Sequence, residues 1–198
     1  QELIFMRNYP HLISSKLPNV GTTIFTIMSR LATEHNAINL SQGFPDFDAP
    51  PELLERAVYH LTHGHNQYAP MAGVPALREQ VARKVLDLYG CAVDSEAEVT
   101  ITAGATEAIF CAITAAVRPG DEVIVFDPAY DCYEPTVTLA GGVTVHVPLQ
   151  APSFAPDWDR VRDAITPRTR LLIVNTPHNP TGSVWRTADM AALRALSR

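Results

Sequence analysis

Lysine is nearly missing from this chain. Of 15 basic residues among 198, only Lys16 and Lys84 are lysines, so chemistry that needs an amine has two candidates. Cysteine is scarce too. Cys91, Cys111 and Cys132 are odd in number, widely spaced and without a C-x-x-C pair, which argues against a disulfide framework and makes a reducing cytoplasm the expected compartment. No apolar run approaches the roughly 18 residues of a membrane span. The longest, Ala108 to Val117, contains Thr114 and reads as a buried helix. Excess positive charge is absent: the formal net charge is −6, a poor match to nucleic acid, so neither nucleic acid nor membrane is an expected partner. The N-terminus shows no basic stretch followed by an apolar core, so no signal peptide is visible. Ten glycines and 16 prolines are too few for a collagen-like or low-complexity chain. Three motifs are missing as well. Without G-x-G-x-x-G, a Gly-Lys-Ser/Thr P-loop or a G-x-S-x-G elbow, dinucleotide binding, P-loop chemistry and the usual α/β serine hydrolase are disfavoured.

What remains is a globular chain. Hydrophobic residues make up 46% and charged residues 18%, enough for a core in one domain or slightly more. Residues 1–20, with Pro10 and Pro18, read as an irregular arm. Apolar spacing predicts a helix over Thr22–Glu34, then a short extended piece at Ile38–Leu40 and a loop from Ser41 to Phe47. Pro51–Thr62 reads as a helix with proline near its first position. A loop carrying Tyr68 follows. Val74–Tyr89 is predicted as an amphipathic helix with Leu77, Val81, Val85 and Leu88 on one face and Gly90 as its stop.

From residue 98 the pattern changes to strand–helix alternation. Strands are predicted at Val99–Thr102, Glu122–Phe126, Val143–Val147 and Arg170–Val174. Helices are predicted from Gly104 to Val117, up to Ala140, over Trp158–Ile165 and across the last dozen residues. Apolar strands separated by helices imply an α/β fold, a mostly parallel sheet with helices on both faces. The expected division is residues 1–50 as an N-terminal arm and small-domain segment at the active-site mouth, and 51–198 as the first part of a large domain. The last helix runs to Arg198 without a cap, and the expectation is a chain cut within a larger domain.

Ligands of open parallel sheets bind outside the carboxyl ends of the strands. Three predicted strands end in unusual sequence on that side. Ala103-Gly104-Ala105-Thr106 is a small-residue turn opening a helix, suited to a phosphate through free N–H groups and the helix dipole; its plainer reading is an ordinary tight turn. Tyr130, after Asp127-Pro128, can lay its ring on a flat heterocycle or sit in the core. Asn179 lies between Pro177 and Pro180, and Asn179-Pro180 is a candidate cis bond; its plainer reading is a surface loop. His60, His63 and His65 form an H-x-x-H-x-H cluster, but Gly64 interrupts any helix and no acidic ligand is close by, so no metal is expected.

These strand ends, with Gln42-Gly43-Phe44-Pro45-Asp46 and Asn66-Gln67-Tyr68-Ala69-Pro70, resemble the fold-type I pyridoxal-phosphate aminotransferases of class I/II. Ser15–Pro18, Gly21–Thr26, Asn66–Met71 and Thr176–Pro180 look most like the bacterial methionine aminotransferase branch, near the kynurenine–glutamine transaminases. The resemblance implies pyridoxal 5′-phosphate as cofactor and a homodimer with shared active sites. Backbone N–H groups of Gly104, Ala105 and Thr106 would hold the phosphate, and Tyr130 would stack on the ring. Asn179 would bond the ring 3′-oxygen and help hold the substrate carboxylate, to which Gly43 would present its backbone. Tyr68 would reach the partner's phosphate, and Ile24 and Phe25 would lie near the substrate side chain.

The resemblance also places three parts beyond Arg198: the Schiff-base lysine, the aspartate facing the pyridinium nitrogen and the arginine clamping the carboxylate. Neither Lys16 nor Lys84 sits in the family's lysine motif, so no catalytic residue is expected within these 198. The implied reaction moves an amino group from methionine or a similar apolar or aromatic amino acid to a 2-oxo acid. The alternatives are a C–S β-lyase of the same fold and a non-catalytic fragment without the lysine.

Overall fold

Residues 122–127 are the centre of a parallel sheet, and their apolar run is explained by cover on both sides. The computed structural model describes residues 14–43 and 45–197. The predicted arm residues 1–13, with Pro10, and also Phe44 and Arg198, lie outside that range. In chain order the elements are α1 (Ile24–Glu34), α2 (Pro51–Thr62), α3 (Pro75–Tyr89), α4 (Ala105–Ala116), β1 (Glu122–Asp127), α5 (Tyr133–Leu139), β2 (Val143–Pro148), α6 (Trp158–Ala164), β3 (Thr169–Leu172) and α7 (Thr187–Leu196). They fall into two compact units. One is Ile24–Gly104, with α1 to α3. The other is Ala105–Arg198 with the described part of Gln1–Thr23, and it holds the sheet.

The strand order is β2-β1-β3, all parallel. Side chains alternate across a strand, and β1 sends them into two separate apolar layers. Val123 and Val125 pack with Ile113 and Val117 at the α4 end and with Val137 of α5. Ile124 and Phe126 pack with Val147, Leu149, Val161 of α6 and Trp185. Helices therefore cover both faces, as the apolar strands imply. Phe126, Trp158 and Trp185 meet edge to face, with centroids 4.9 to 6.5 Å apart.

β1 and β2 run in unbroken register from Glu122↔Val143 to Asp127↔Pro148. Between β1 and β3 the register slips once, from Glu122↔Thr169 to Val123↔Leu171. Arg170, skipped by the ladder, donates through Nε to the Ala116 carbonyl at 3.0 Å. The slip sits beside a buried carboxylate. Glu122 accepts from Thr166 Oγ1 at 2.5 Å and pairs with Arg168. The Thr166 hydrogen bond, helped by Arg168 and opposed by desolvation, holds its carboxyl below the ordinary value. The return into β2 needs glycine: a Cβ on Gly142 would lie 2.7 Å from Val117 Cγ1 and 3.0 Å from Val137 Cγ1.

The helix ends follow local chemistry. Pro51 and Pro75 occupy first positions, Gly90 closes α3 in the left-handed region at φ +64°, and the Asp157 carboxylate accepts from the Asp159 and Arg160 N–H groups to start α6. Three expectations are corrected. The first helix begins at Ile24 rather than Thr22. Val99–Thr102 joins no ladder among the described residues; Ile101 N–H bonds the Ala72 carbonyl at 2.9 Å, against Gly73, where a Cβ would meet Ile101 Cγ1 at 2.4 Å. In α3 the predicted stripe is only partly covered: Val81 and Val85 are half-buried. Leu77 and Leu88 are exposed, and the buried residue is Arg78, whose Nε and Nη2 donate to the Val99 and Glu96 carbonyls at 3.0 and 2.6 Å. Among the described residues no helix is long and apolar enough to cross a membrane.

Candidate functional site

Of the three connections expected at the carboxyl edge of the sheet, two follow ladder strands, β1 and β3; the one at Gly104 follows Val99–Thr102, which joins no ladder among the described residues. At the first, Gly104 takes φ +89° and α4 starts at Ala105. A Cβ on Gly104 would meet nothing within 4 Å, so the turn needs glycine for its backbone angle and leaves open space beside it. Ala105 and Thr106 belong to the first helical turn, where N–H groups lack intrahelical acceptors and the dipole is positive. That is an anion cradle.

At the second connection, Tyr130 is half-buried and lies outside both apolar clusters, unlike its neighbours Ala129 and Tyr133. Its hydroxyl lies 3.2 Å from Thr106 Oγ1, and its ring meets the Tyr133 ring at 5.8 Å and 74°. The structure thus brings the Tyr130 hydroxyl against the first turn of α4. Asp127, at the end of β1, pairs with His146 of β2, Oδ2 to Nδ1 at 2.9 Å; sequence reading had placed both residues without linking them. Burial, then the Asp131 charge, push the Cys132 thiol up from its ordinary value.

At the third connection, Asn179 N–H donates to Asn175 Oδ1 at 2.7 Å and leaves the residue exposed. Asn179-Pro180 is cis, as expected, and so are Thr176-Pro177 and Asp127-Pro128. His178 was missed as an individual residue. It is 5% exposed, and Nδ1 lies 2.9 Å from Thr181 Oγ1. Burial pushes its pKa down from the ordinary value. Its N–H bonds the Ser183 carbonyl at 2.8 Å, and its own carbonyl accepts from Gly182 N–H at 2.6 Å. No sequence spacing signals this burial.

The remaining candidates belong to the Ile24–Gly104 unit. Gly43 stands in open space, in a loop fixed by polar contacts: Asn39 Oδ1 accepts from Ser41 N–H at 3.0 Å, Asn39 Nδ2 donates to Ser29 Oγ at 3.1 Å, and Ser29 Oγ donates to Gln42 Oε1 at 3.1 Å. Ile24 is exposed and Phe25 half-buried on α1, and Tyr68 is fully exposed. The histidines at the end of α2 and just beyond it meet as rings: His63 lies on Tyr59 at 4.1 Å, and His60 meets His65 edge-on at 4.7 Å. Among the described residues no group of three His, Cys, Asp or Glu side chains could hold a metal ion.

Comparison with known proteins bears on this arrangement. Residues 35–198 match the family model described as aminotransferase class I and II. Methionine aminotransferase of Escherichia coli K12 is 57% identical over 188 residues, covering 95% of this chain and 49% of that protein. A probable N-succinyldiaminopimelate aminotransferase of Mycobacterium tuberculosis is 46% identical, covering 92% of this chain and 47% of that protein. The crystal structure of E. coli YbdL, identified with a methionine aminotransferase function, superposes with a TM-score of 0.90 at 56% identity, over 93% of this chain and 48% of that one. Thermus thermophilus aspartate aminotransferase superposes at 0.83 with 39% identity, over 93% of this chain and 50% of its own. This chain spans about half the length of the curated relatives it matches. It belongs to the class I and II aminotransferases, a pyridoxal 5′-phosphate-dependent family with the fold-type I architecture.

Proposed function

We propose that this chain forms the cofactor-cradling half of a pyridoxal 5′-phosphate-dependent aminotransferase that takes the amino group from methionine or a similar apolar or aromatic amino acid and delivers it to a 2-oxo acid. The contact that carries the cofactor reading is the pair of hydroxyls, Tyr130 on Thr106, at the carboxyl edge of a parallel sheet. It sets a flat ring beside an anion cradle, which is the donor set a phosphorylated heterocycle needs. Ala105 and Thr106 would hold the phosphate through backbone N–H groups, with Gly104, whose own N–H already reaches the Thr102 carbonyl at 2.8 Å, shaping the turn. Tyr130 lies against the ring. Asn179 donates to the 3′-oxygen and helps orient the substrate carboxylate, with the Gly43 backbone as a second contact. Ile24 and Phe25 face the substrate side chain, and Tyr68 serves the phosphate of a second subunit in a homodimer. When bound, the cofactor supplies an electron sink that stabilises negative charge at the substrate Cα. An amine acting as proton carrier is also required, and the exposed Lys16 and Lys84 are not it; that group belongs to the half that the relatives possess and this chain does not span.

The methionine preference rests on the E. coli relative. Each relative compared above is named as an aminotransferase, which supports transamination over β-elimination. Methionine should convert to its 2-oxo acid only when an acceptor 2-oxo acid is supplied, with one acceptor consumed per turnover. Steady release of ammonia and pyruvate from a cysteine conjugate without acceptor would replace this reading with the lyase.

A further inference from the structure

We propose that His178 is a positioning residue: its buried imidazole, held by Thr181, fixes the loop that presents Asn179. The inference rests on the reading of Asn179 as a cofactor and substrate contact. His178 precedes Asn179 directly and is 5% exposed, whereas Asn179 is exposed. The backbone around the ring is closed on itself: His178 N–H reaches the Ser183 carbonyl, and Gly182 N–H returns to the His178 carbonyl. Inside that turn, Nδ1 meets Thr181 Oγ1 at 2.9 Å, and Ser183 N–H meets the same hydroxyl oxygen at 3.3 Å. Asn179 is therefore held on one side by a buried neighbour tied to Thr181, with the Asn175 carboxamide oxygen as a second, local tether. A loop carrying a polar contact to a bound ring has to hold it within a fraction of an ångström, and packed neighbours with hydrogen bonds do this best.

The test uses the complete holoenzyme and four variants: Asn179→Ala, His178→Leu, His178→Asn and Thr181→Val. His178→Leu removes every polar contact of the ring. His178→Asn keeps a polar atom near the Nδ1 position. Thr181→Val removes the hydroxyl partner and leaves the imidazole in place, and it carries the test if His178→Leu does not fold. The readouts are the cofactor dissociation constant and the pH midpoint of the bound cofactor's visible absorption. Asn179→Ala should move the midpoint upward, because a lost donor leaves more negative charge on the 3′-oxygen to retain the neighbouring proton. His178→Leu and Thr181→Val should move it in the same direction by less, with cofactor binding weakened about tenfold for His178→Leu. His178→Asn should fall between wild type and His178→Leu. The double variant Asn179→Ala/His178→Leu should move the midpoint no further than Asn179→Ala alone. A wild-type midpoint in both His178→Leu and Thr181→Val, beside a shifted Asn179→Ala, would overturn the positioning role and leave the site reading intact. An unshifted Asn179→Ala would overturn the site reading and the inference with it.

Discussion

The hydroxyls of Tyr130 and Thr106 meet at 3.2 Å across 24 residues of sequence, so the aromatic platform and the first turn of α4 are tied to each other before any ligand arrives. Tyr130→Ala removes ring and tether together and should weaken cofactor retention by about 1–2 kcal/mol. Tyr130→Phe keeps the ring, loses an exposed hydrogen bond and should cost no more than about 1 kcal/mol. Equilibrium dialysis with pyridoxal phosphate separates the two, and equal losses would mean the ring itself contributes nothing.

Tyr68 is fully exposed in its own unit. If it serves the neighbouring subunit, a Tyr68→Ala enzyme mixed with one lacking the Schiff-base lysine should regain activity after subunit exchange. One of the two sites in each hybrid dimer is then intact. No recovery, with exchange confirmed by mass spectrometry, counts against the shared site.

Two buried groups set the acid limb of stability. His178 has its pKa below the ordinary 6.5, so the unfolded chain binds its proton first. Its contribution is complete above that value and is lost as pH falls beneath it. Glu122, held below 4.5, contributes fully above that value and is lost as pH drops towards its folded value. Urea midpoints measured from about pH 8 to about pH 2 should decline in two steps. His178→Asn should flatten the upper one and Glu122→Gln the lower; an unchanged upper step would mean that His178 titrates normally.

Lys16 and Lys84 are both exposed, one in the arm and one on α3. We expect neither to condense with the cofactor's aldehyde. Pyridoxal phosphate added to this 198-residue chain and reduced with borohydride should give scattered, substoichiometric labelling by peptide mapping. Stoichiometric labelling of either lysine, with turnover, would return the catalytic amine to this half.

Sequence carried much of the fold because its signals are local. The apolar run at residues 122–126 says covered strand without knowing what covers it. Pro51, Pro75 and Gly90 end helices through their own backbone limits, and the cis bond at Asn179-Pro180 belongs to the proline. What stayed hidden is made by distant partners. Arg78 is buried because carbonyls of Glu96 and Val99 receive it, and Glu122 because Arg168 lies 46 residues on. Val99–Thr102 shows the reverse. Its β-branched residues have strand propensity, yet a strand exists only with a neighbour to bond, and Ala72 takes the Ile101 amide instead.

β1 is sealed on both sides, with Val123, Ile124 and Val125 at 0% exposure, and the candidate cofactor contacts hang from its end. In time rather than geometry, this sets an order of opening. Amide protons of β1 should exchange with solvent only when the whole sheet unit opens. The hydrogen-bonded amides of His178, Asn179 and Gly182 should follow it closely, so the contacts offered to a ligand are set by the segment that opens last.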